Sequence, residues 1–493
     1  MSEKKTKSIK INAFFNSFKS VLTILFPLVT FPYVSRVLGA NKLGIINYSQ
    51  AIVSYFSLIA SLGISTYAVR EGAKIRDDFS KLNNFCNEVF TINIITTVIG
   101  YLAMFVCCIV IERSHNYFYL IILLSISIVF NTIGVDWINV IFEDYVYVTI
   151  RGVILQLVNL ILLFIFVKDE NDYITYAFLT ITPQIFIGIF NFFYCRRYCR
   201  IHITKRPHIS MHIKPMLILF VNNIAVTLYC NADSIMIGWL ISDYYVGIYA
   251  VAVKIYSMIR SLLASIFTVC IPRISYYIGN KESEKCKSLL SSLVEGLIIL
   301  ICPVVVGIEV LAKEIVLIIS GSEYIGAINT LRILSIGIIF AIFGGILTNC
   351  INIPSKKEKN NLYATFAAAF VNVALNITLI PLYKQNGAAV TTVIAEICVV
   401  VVCILLDNNI LRYFNWKKIL LNFSQTVIGC IGIVMTKVIT SHFVFNSWAN
   451  CIITTILSIF IYIFIMSLLR NIYVIDIICK FQFVKRYIRR EKR

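Results

Sequence analysis

The sequence is short of charge for its length. Only 14% of its 493 residues are charged and 59% are hydrophobic, with a mean hydropathy of +0.84. Soluble domains carry about 25% charged residues, so this chain cannot cover its surface for water. The composition therefore excludes a soluble globular protein and predicts a membrane protein.

Motifs for catalysis and for metal binding are also missing from the sequence. It contains no Gly-rich phosphate loop with Lys, no helical pair of metal-binding histidines and no nucleophile elbow. The fifteen cysteines form no Cys-x-x-Cys pair, and His202, His208 and His212 are interpreted as solvated side chains of a basic loop. We expect no enzyme activity, no metal and no resident cofactor. Without an ATPase motif, any transport would be driven by an H⁺ or Na⁺ gradient, by membrane potential or by the substrate gradient.

Long apolar segments are abundant instead. About fourteen stretches approach the length of about 20 residues that a membrane span needs. They lie at roughly 12–38, 44–66, 86–111, 117–142, 147–167, 173–195, 215–240, 245–270, 289–312, 327–353, 362–383, 387–406, 418–440 and 447–470.

The basic residues predict how these spans are oriented. With the N-terminus in the cytoplasm, thirty-three of the 44 Lys and Arg residues fall in inside segments and five in outside segments. This is the positive-inside pattern, and it predicts that both termini are cytoplasmic. An anionic inner leaflet accounts for the net charge of +19, so no nucleic-acid partner is expected.

The two halves of the chain resemble each other. Gly44 at the start of the second span matches Gly247 at the start of the eighth, and the same offset carries Arg70 onto Arg273. Parallel repeats of about six spans, with a binding site between them, are a known transporter architecture. The alternative is that the two halves resemble each other by chance. We predict an all-α polytopic membrane protein with two lobes, an N-terminal lobe at 1–195 and a C-terminal lobe at 215–406, joined by a basic cytoplasmic linker at 196–214. Two further spans follow within 407–470, and the chain ends in a basic amphipathic tail at 471–493.

Polar side chains inside the first span predict a polar interior. Arg36 ends this span, and an ionisable group at membrane depth is a functional-site hypothesis because its desolvation must be compensated. Asn16 and Lys19 share one face of the same helix. Pro27 and Pro32 are expected to bend the helix so that Arg36 turns toward that face. A polar seam packed on a neighbouring helix is the alternative.

Acidic side chains mark the fourth and seventh spans. Asp136, Asn139 and Glu143 are predicted to share one helix face, because they lie at positions i, i+3 and i+7 of the fourth span. Asp233 is expected to form an ion pair with Lys254 of the eighth span, and a structural and a functional role both remain open for that pair.

The later spans carry a second group of polar residues. Lys254 and Arg260 lie six residues apart, about 120° around the helix, so one of them is expected to pair with protein. Asn372 and Asn376 lie along one side of the eleventh span. Glu396 in the twelfth span needs a proton or a partner, and it would serve either ion coupling or a helix-to-helix hydrogen bond.

Short motifs occur in a distinctive order along residues 10 to 410. They are Phe31-Pro32-Tyr33-Val34-Ser35-Arg36-Val37-Leu38-Gly39, Leu62-Gly63-Ile64 with Tyr67 and Arg70-Glu71, Asp136-Trp137 with Glu143, Thr149 and Arg151, Asp233-Ser234-Ile235-Met236-Ile237-Gly238 with Gly247-Ile248-Tyr249 and Ala252-Val253-Lys254, and Asn352-Ile353-Pro354 with Lys356, Asn372, Asn376, Pro381, Gly387-Ala388-Ala389 and Glu396. In order and spacing they resemble bacterial polysaccharide repeat-unit flippases. Those are the Wzx-type members of the multidrug/oligosaccharidyl-lipid/polysaccharide exporter superfamily.

The resemblance implies a fold and a substrate. The fold would be MATE-like, with two six-helix lobes around a cationic central cavity and two extra C-terminal helices. The substrate would be an undecaprenyl-pyrophosphate-linked oligosaccharide that crosses the bacterial cytoplasmic membrane by alternating access. We expect a monomer among membrane lipids, with a polysaccharide polymerase and a chain-length regulator as partners. An ion-coupled multidrug exporter is the first alternative, and a polytopic polymerase or ligase is the second.

The expected site follows from these observations. Arginine suits the oxygens of a pyrophosphate, while asparagines and threonines suit the sugars. The residues expected to bind the pyrophosphate or the sugar are Arg36, Lys19, Asn16, Arg70, Lys254, Arg260, Asn372 and Asn376. Asp136, Asp233 and Glu396 are expected to serve ion coupling or pairing within the membrane.

Overall fold

The computed structural model describes residues 9–205, 207–443, 446–476 and 479, without the side chains of residues 9–21, 24 and 222. Within this described part every regular element is a helix, as the composition predicts. The chain folds into two compact units, Met1–Ala250 and Val251–Arg493. The boundaries predicted for the two lobes and the linker stay predictions.

Ten α-helices begin in the first unit. They are α1 Ile9–Ser61, α2 Ile64–Lys74, α3 Phe79–Val110, α4 Glu112–Asn116, α5 Phe118–Gly134, α6 Trp137–Ile141, α7 Tyr145–Phe166, α8 Tyr173–Cys195, α9 Ile209–Leu240 and α10 Asp243–Thr268, with a 3₁₀ turn at Glu170–Asp172. The last of them, α10, continues into the second unit.

Seven more α-helices build the described part of the second unit. They are α11 Ile271–Gly279, α12 Ser283–Ile319, α13 Ala327–Gly345, α14 Glu358–Tyr383, α15 Gln385–Leu406, α16 Trp416–Phe443 and α17 Ser447–Leu468. A π-helical segment at Ile346–Asn352 follows α13, and 3₁₀ turns lie at Ser322–Tyr324 and Ile410–Tyr413.

Twelve helices in the described residues are long and apolar enough to cross a membrane. One of them, Leu25–Lys74, covers the first two predicted spans, and α5, which occupies the fourth, has only 17 residues. The number fourteen therefore stays a prediction, although an apolar helix lies at each predicted position. The protein is a multi-pass membrane protein, in which helices satisfy the backbone hydrogen bonds that lipid cannot.

The first two spans are joined through Gly39. This residue has φ 69° and ψ 170°, which is the non-helical position inside α1, whereas Pro27 and Pro32 keep helical dihedral angles. A glycine takes a positive φ without the steric penalty of a side chain. The break expected at the two prolines therefore lies at Gly39, three residues after Arg36.

The fourth predicted span is not continuous. Val135 has φ 43° and ends α5, and Glu143 has φ 53° beyond the short α6. The prediction that Asp136, Asn139 and Glu143 share one helix face is therefore wrong, because it assumed an unbroken helix. Each of the three side chains reaches a different partner, as described below.

The two glycines matched by the internal repeat lie in the same helix crossing within the first unit. A Cβ atom on Gly44 would collide with the carbonyl oxygen of Asp243, and one on Gly247 would collide with that of Ala40. The repeat offset matches Ala40 with Asp243 and Gly44 with Gly247. Replacing each residue by its match therefore turns one contact into the other. Such reciprocal contacts are typical of a twofold interface. The crossing therefore supports the repeat and explains why both positions need glycine.

Candidate functional site

Arg36 lies in a part of α1 where buried and half-buried residues alternate. Its neighbours Val34, Ser35 and Leu38 are buried, whereas the Arg36 side chain is exposed. The hydroxyl of Tyr33 donates to the carbonyl oxygen of Val167 at 2.6 Å and fixes this part of α1 to the end of α7. A fixed helix thus presents the Arg36 guanidinium at a set position before the break at Gly39.

Three other residues of the first unit were predicted to bind substrate. Arg70 is exposed and forms an ion pair with Glu71, with Nε and Oε1 2.8 Å apart. Asn16 and Lys19 belong to α1, but their side chains lie outside the described residues. A role for these three residues in substrate binding stays a prediction.

Asp136 belongs to a polar network between α5, α6, α7 and α8. Arg151 lies at its centre and is buried, with Nη2 3.0 Å from Asp136 Oδ1 and Nη1 donating to Asn191 Oδ1 at 2.8 Å. The Asn139 amide also donates to Asn191 Oδ1, at 2.5 Å, and Asn191 donates to the carbonyl oxygen of Gly134. Neither Arg151 nor Asn191 was among the site residues predicted from the sequence. One signal was available, because Asn191 is an amide inside an apolar span.

Glu143 does not belong to this network. Its Oε1 lies 3.0 Å from Nη1 of Arg76, in a half-exposed ion pair. The positive φ of Glu143 turns the chain away from α6 before α7 begins.

A histidine cluster lies where α2, α3 and α9 meet. His212 is buried and forms hydrogen bonds to the Tyr67 hydroxyl at 2.7 Å and to Glu88 at 2.8 Å. His208 is exposed and bonds the other Glu88 oxygen at 2.8 Å. The interpretation of His212 as a solvated loop residue is therefore wrong, because α9 begins at Ile209 and carries His212 into its first turns.

Asp233 accepts a hydrogen bond from the Tyr249 hydroxyl at 2.5 Å. Both residues are buried within the first unit, on α9 and α10. The pairing of Asp233 with Lys254 stays a prediction, as does its role in ion coupling. Lys254 itself is half-buried on the part of α10 that belongs to the second unit.

Arg260 and Glu396 form an ion pair within the second unit. Nη1 of Arg260 lies 3.1 Å from Oε1 of Glu396, and the Tyr256 hydroxyl donates to the same oxygen at 3.1 Å. The Glu396 side chain is only 4% exposed, whereas that of Arg260 is 38% exposed. Arg260 therefore compensates a buried carboxylate, which is how proteins make such a charge tolerable. One of the two cations of α10 is thus paired with protein, as the spacing predicts.

Asn372 and Asn376 form a closed network with Thr391. The Thr391 hydroxyl donates to Asn376 Oδ1 at 2.5 Å, the Asn376 amide donates to Asn372 Oδ1 at 3.2 Å, and the Asn372 amide donates to Thr391 Oγ1 at 3.3 Å. All three residues are fully buried between α14 and α15. These bonds join two helices, and binding of sugar by either asparagine stays a prediction.

The described residues contain no group of three or more His, Cys, Asp or Glu side chains that could hold a metal ion. The predicted site residues are consequently distributed over separate contacts. Among the described residues, the structure brings Arg260 together with Glu396 and Asn372 together with Asn376.

Comparison with known proteins gives two family matches. The family described as polysaccharide biosynthesis protein matches residues 9–278, which is more than half of the chain. The family described as MatE matches residues 219–378.

Curated relatives are similar over most of the chain. A putative O-antigen transporter of Shigella dysenteriae is 23% identical over 378 residues, covering 76% of this chain and 94% of the relative. A putative O-antigen transporter of Escherichia coli K12 is also 23% identical, covering 78% and 93%. A probable low-salt glycan biosynthesis flippase, Agl15 of Haloferax volcanii, is 26% identical but covers 36% of this chain and 37% of the relative.

Two solved structures share the fold. The lipid II flippase MurJ in an inward closed conformation has a TM-score of 0.73 at 18% identity, covering 95% of this chain and 99% of that one. An inward-facing multidrug resistance MATE family transporter has a TM-score of 0.57 at 16% identity, covering 79% and 94%. At these identities the likeness shows the fold alone, and it confirms the predicted MATE-like helical class.

Proposed function

The chain belongs to the polysaccharide biosynthesis protein family, and from this membership we propose that it is a flippase for lipid-linked oligosaccharides. The resemblance to Wzx-type flippases is thereby confirmed at the level of the family. The relatives named as O-antigen transporters and as a glycan flippase support a glycan substrate. The proposed substrate is an undecaprenyl-pyrophosphate-linked repeat unit, which moves from the inner to the outer leaflet of the bacterial cytoplasmic membrane by alternating access.

Arg36 is the observation that carries this proposal. An exposed guanidinium on a fixed, otherwise buried part of an apolar helix suits an anionic headgroup. Arginine can contact two phosphate oxygens at once, and its charge persists at any physiological pH. The polyprenyl chain can remain in lipid, so the protein needs to shelter only the diphosphate and the sugars.

Energy for transport would come from ion coupling. Asp136, Asp233 and Glu396 are the proposed carboxylates, with H⁺ or Na⁺ as the ion. Each of them already has a hydrogen-bond or ion-pair partner, so an arriving ion would compete with that partner. Proteoliposomes with imposed H⁺ or Na⁺ gradients test this, and a rate that responds to neither gradient overturns it.

The topology and partners complete the proposal. Both termini would lie in the cytoplasm, and the protein would act as a monomer that transports without catalysing a reaction. A polysaccharide polymerase and a chain-length regulator would receive its product. Isolation in mild detergent from a strain that expresses all three tests this arrangement.

The central experiment uses Arg36→Ala and Arg36→Lys in proteoliposomes that contain the polyprenyl-diphosphate oligosaccharide. Transport is measured as exposure of the sugar to a glycosidase that cannot cross the membrane. Loss of a hydrogen bond to a charged group removes about 1.5–3 kcal/mol, so we expect roughly a 10- to 100-fold slower rate for the alanine variant. The lysine variant should retain part of the rate, because it keeps the charge but not the bidentate geometry.

Arg412→Ala is the matched control, since Arg412 is also an exposed arginine. It should transport like the unchanged protein. An Arg36→Ala variant with full activity would remove Arg36 from the mechanism. Transport of cationic drugs, without transport of the glycan, would favour a multidrug exporter instead.

A further inference from the structure

A polar hollow lies in the second unit, away from the residues discussed so far. Its volume is about 280 Å³, and it is bounded by the first turns of α12, the start of α16 and the segment that follows α17. Its lining includes four charged side chains, Glu284, Lys287, Glu295 and Lys418, together with the polar side chains of Ser288, Asn415 and Tyr473. Such a lining is unusual in a chain whose helices are mostly apolar, and it is suited to a polar ligand.

Glu295 forms the buried side of the hollow. The residue is 4% exposed, and its Oε2 accepts hydrogen bonds from the Asn422 amide at 3.1 Å and the Tyr473 hydroxyl at 2.9 Å. Among the described residues its Oε1 has no hydrogen bond and no cation lies within ion-pair distance. A buried carboxylate without a cation is costly, so this oxygen is suited to bind a positively charged group.

Two lysines supply the opposite charge. Lys287 and Lys418 line the hollow, and neither forms an ion pair with a described residue. Asn415 precedes α16, and its side-chain oxygen accepts from the Lys418 backbone, so the positive end of that helix dipole faces the same region. Ammonium groups, hydroxyls and a helix N-terminus together suit a phosphate.

The start of α16, which bounds the hollow, has residues typical of a membrane interface. Trp416 is 49% exposed beside Asn415, and exposed tryptophans are enriched at the membrane interface. Lys417 and Lys418 are exposed at the same helix start. The positive-inside pattern assigns this end to the inner leaflet.

The segment after α17 is held against the hollow by specific bonds. The Asn471 amide donates to Asn422 at 2.7 Å and to Gln425 at 2.6 Å, which fixes the chain just before Tyr473. Burial, together with the Glu295 carboxylate, raises the pKa of Tyr473 to about 12. Tyr473 therefore stays protonated and remains a hydrogen-bond donor to Glu295.

We propose that this hollow binds the phosphoethanolamine headgroup of a bilayer phospholipid, with its primary amine on Glu295 and its phosphate between Lys287 and Lys418. The charges favour this headgroup because it combines one cation and one anion. Its amine matches the carboxylate of the hollow, and its phosphate matches the ammonium groups. A phosphatidylcholine amine carries methyl groups and cannot donate a hydrogen bond to Glu295. A phosphatidylglycerol headgroup has no amine at all.

The test is native mass spectrometry of the purified full chain, titrated with phosphatidylethanolamine, phosphatidylcholine or phosphatidylglycerol. The expected result is roughly tenfold tighter binding of phosphatidylethanolamine than of the other two lipids, the effect of one hydrogen bond to a charged group. Glu295→Gln should abolish this preference. Lys418→Ala and Lys287→Ala should weaken binding of phosphatidylethanolamine and phosphatidylglycerol alike.

Two lysines provide matched controls. Lys417→Ala removes the exposed neighbour of Lys418, and Lys285→Ala removes a lysine already paired with Glu282 at 2.8 Å. Neither should change lipid binding. Equal binding of all three lipids, a preference for phosphatidylglycerol, or displacement of the lipid by millimolar inorganic phosphate would each overturn the proposal.

The lysine variants keep the test decisive if Glu295→Gln fails to fold, because Lys418 is exposed and Lys287 is half-buried. Unchanged phosphatidylethanolamine binding in both lysine variants would overturn the proposal. The readout is lipid binding and not transport, so the result does not depend on the proposed function.

Discussion

Arg36 in the first unit and Arg260 in the second unit are both arginines in long apolar helices, yet their surroundings differ. Arg36 is exposed on a helix whose neighbouring residues are buried. Arg260 lies 3.1 Å from Glu396, a carboxylate buried between helices. The second arginine compensates a buried charge of the protein, whereas the first is the proposed contact for an anionic ligand.

The difference shows that a charge at membrane depth has two distinct uses. An arginine with a buried carboxylate beside it contributes to stability through that pair, and removing it leaves an uncompensated charge. For Arg36, whose side chain is exposed, the proposed role is binding of a ligand. The two classes are separable by experiment because one should alter unfolding and the other should alter transport.

The largest expected effect is on stability, at Arg260. Among the described residues, Arg260→Met leaves the buried Glu396 with a hydrogen bond from the Tyr256 hydroxyl and no cation. Breaking a buried pair in this way costs about 3–5 kcal/mol, with the lower end expected for a partly exposed arginine. The free energy of unfolding in detergent measures this loss. The double variant Arg260→Met/Glu396→Leu should recover most of it. Arg36→Met should lower the same quantity by less than Arg260→Met does, because the Arg36 side chain is exposed, and an equal or larger loss would contradict the comparison.

The helix crossing at Gly44 and Gly247 should give the next largest effect. Gly44→Ala or Gly247→Ala forces a methyl group into a backbone carbonyl, and overpacking of this kind costs about 1–3 kcal/mol. Gly152→Ala and Gly307→Ala are controls, because a Cβ atom at either position meets nothing within 4 Å. The midpoint of thermal unfolding should be lower for Gly44→Ala and Gly247→Ala than for the two controls. Equal midpoints would mean that the crossing is not tight.

Asn372 allows the same distinction between a structural role and a binding role to be tested for an uncharged residue. Asn372→Ala removes one hydrogen bond from Asn376 and one from Thr391, both of which are buried, and a hydrogen bond of this kind contributes about 0.5–1.5 kcal/mol to stability. We expect reduced stability with unchanged affinity for the glycan substrate. A variant with normal stability and weak substrate binding would instead support the sequence-based prediction that Asn372 binds sugar.

The smallest effect is expected at the half-exposed pair of Arg76 and Glu143. Arg76→Ala should lower the free energy of unfolding by about 0.2–1 kcal/mol, because solvent screens the pair. Raising the salt concentration should reduce the difference further. A loss that salt does not change would show that Arg76 packs against the protein through its aliphatic chain.

The sequence alone determined the class of protein, the positions of the apolar helices and the family. These follow from local quantities, since the hydropathy of about 20 residues decides whether a segment can enter lipid. Arg36 could be singled out for the same reason, because a charge in such a segment is visible without knowing its neighbours. The order of the motifs then led to the correct family.

Tertiary structure decided which polar groups meet. Arg151 is joined to Asn191 from another helix, His212 is buried against Tyr67 and Glu88, and Arg260 reaches Glu396 across 136 positions of sequence. Backbone breaks at Gly39 and Val135 likewise depend on how the flanking helices pack. Electrostatic and hydrogen-bond partners come from distant segments, so helical periodicity can place a side chain on a face but cannot identify what that face contacts.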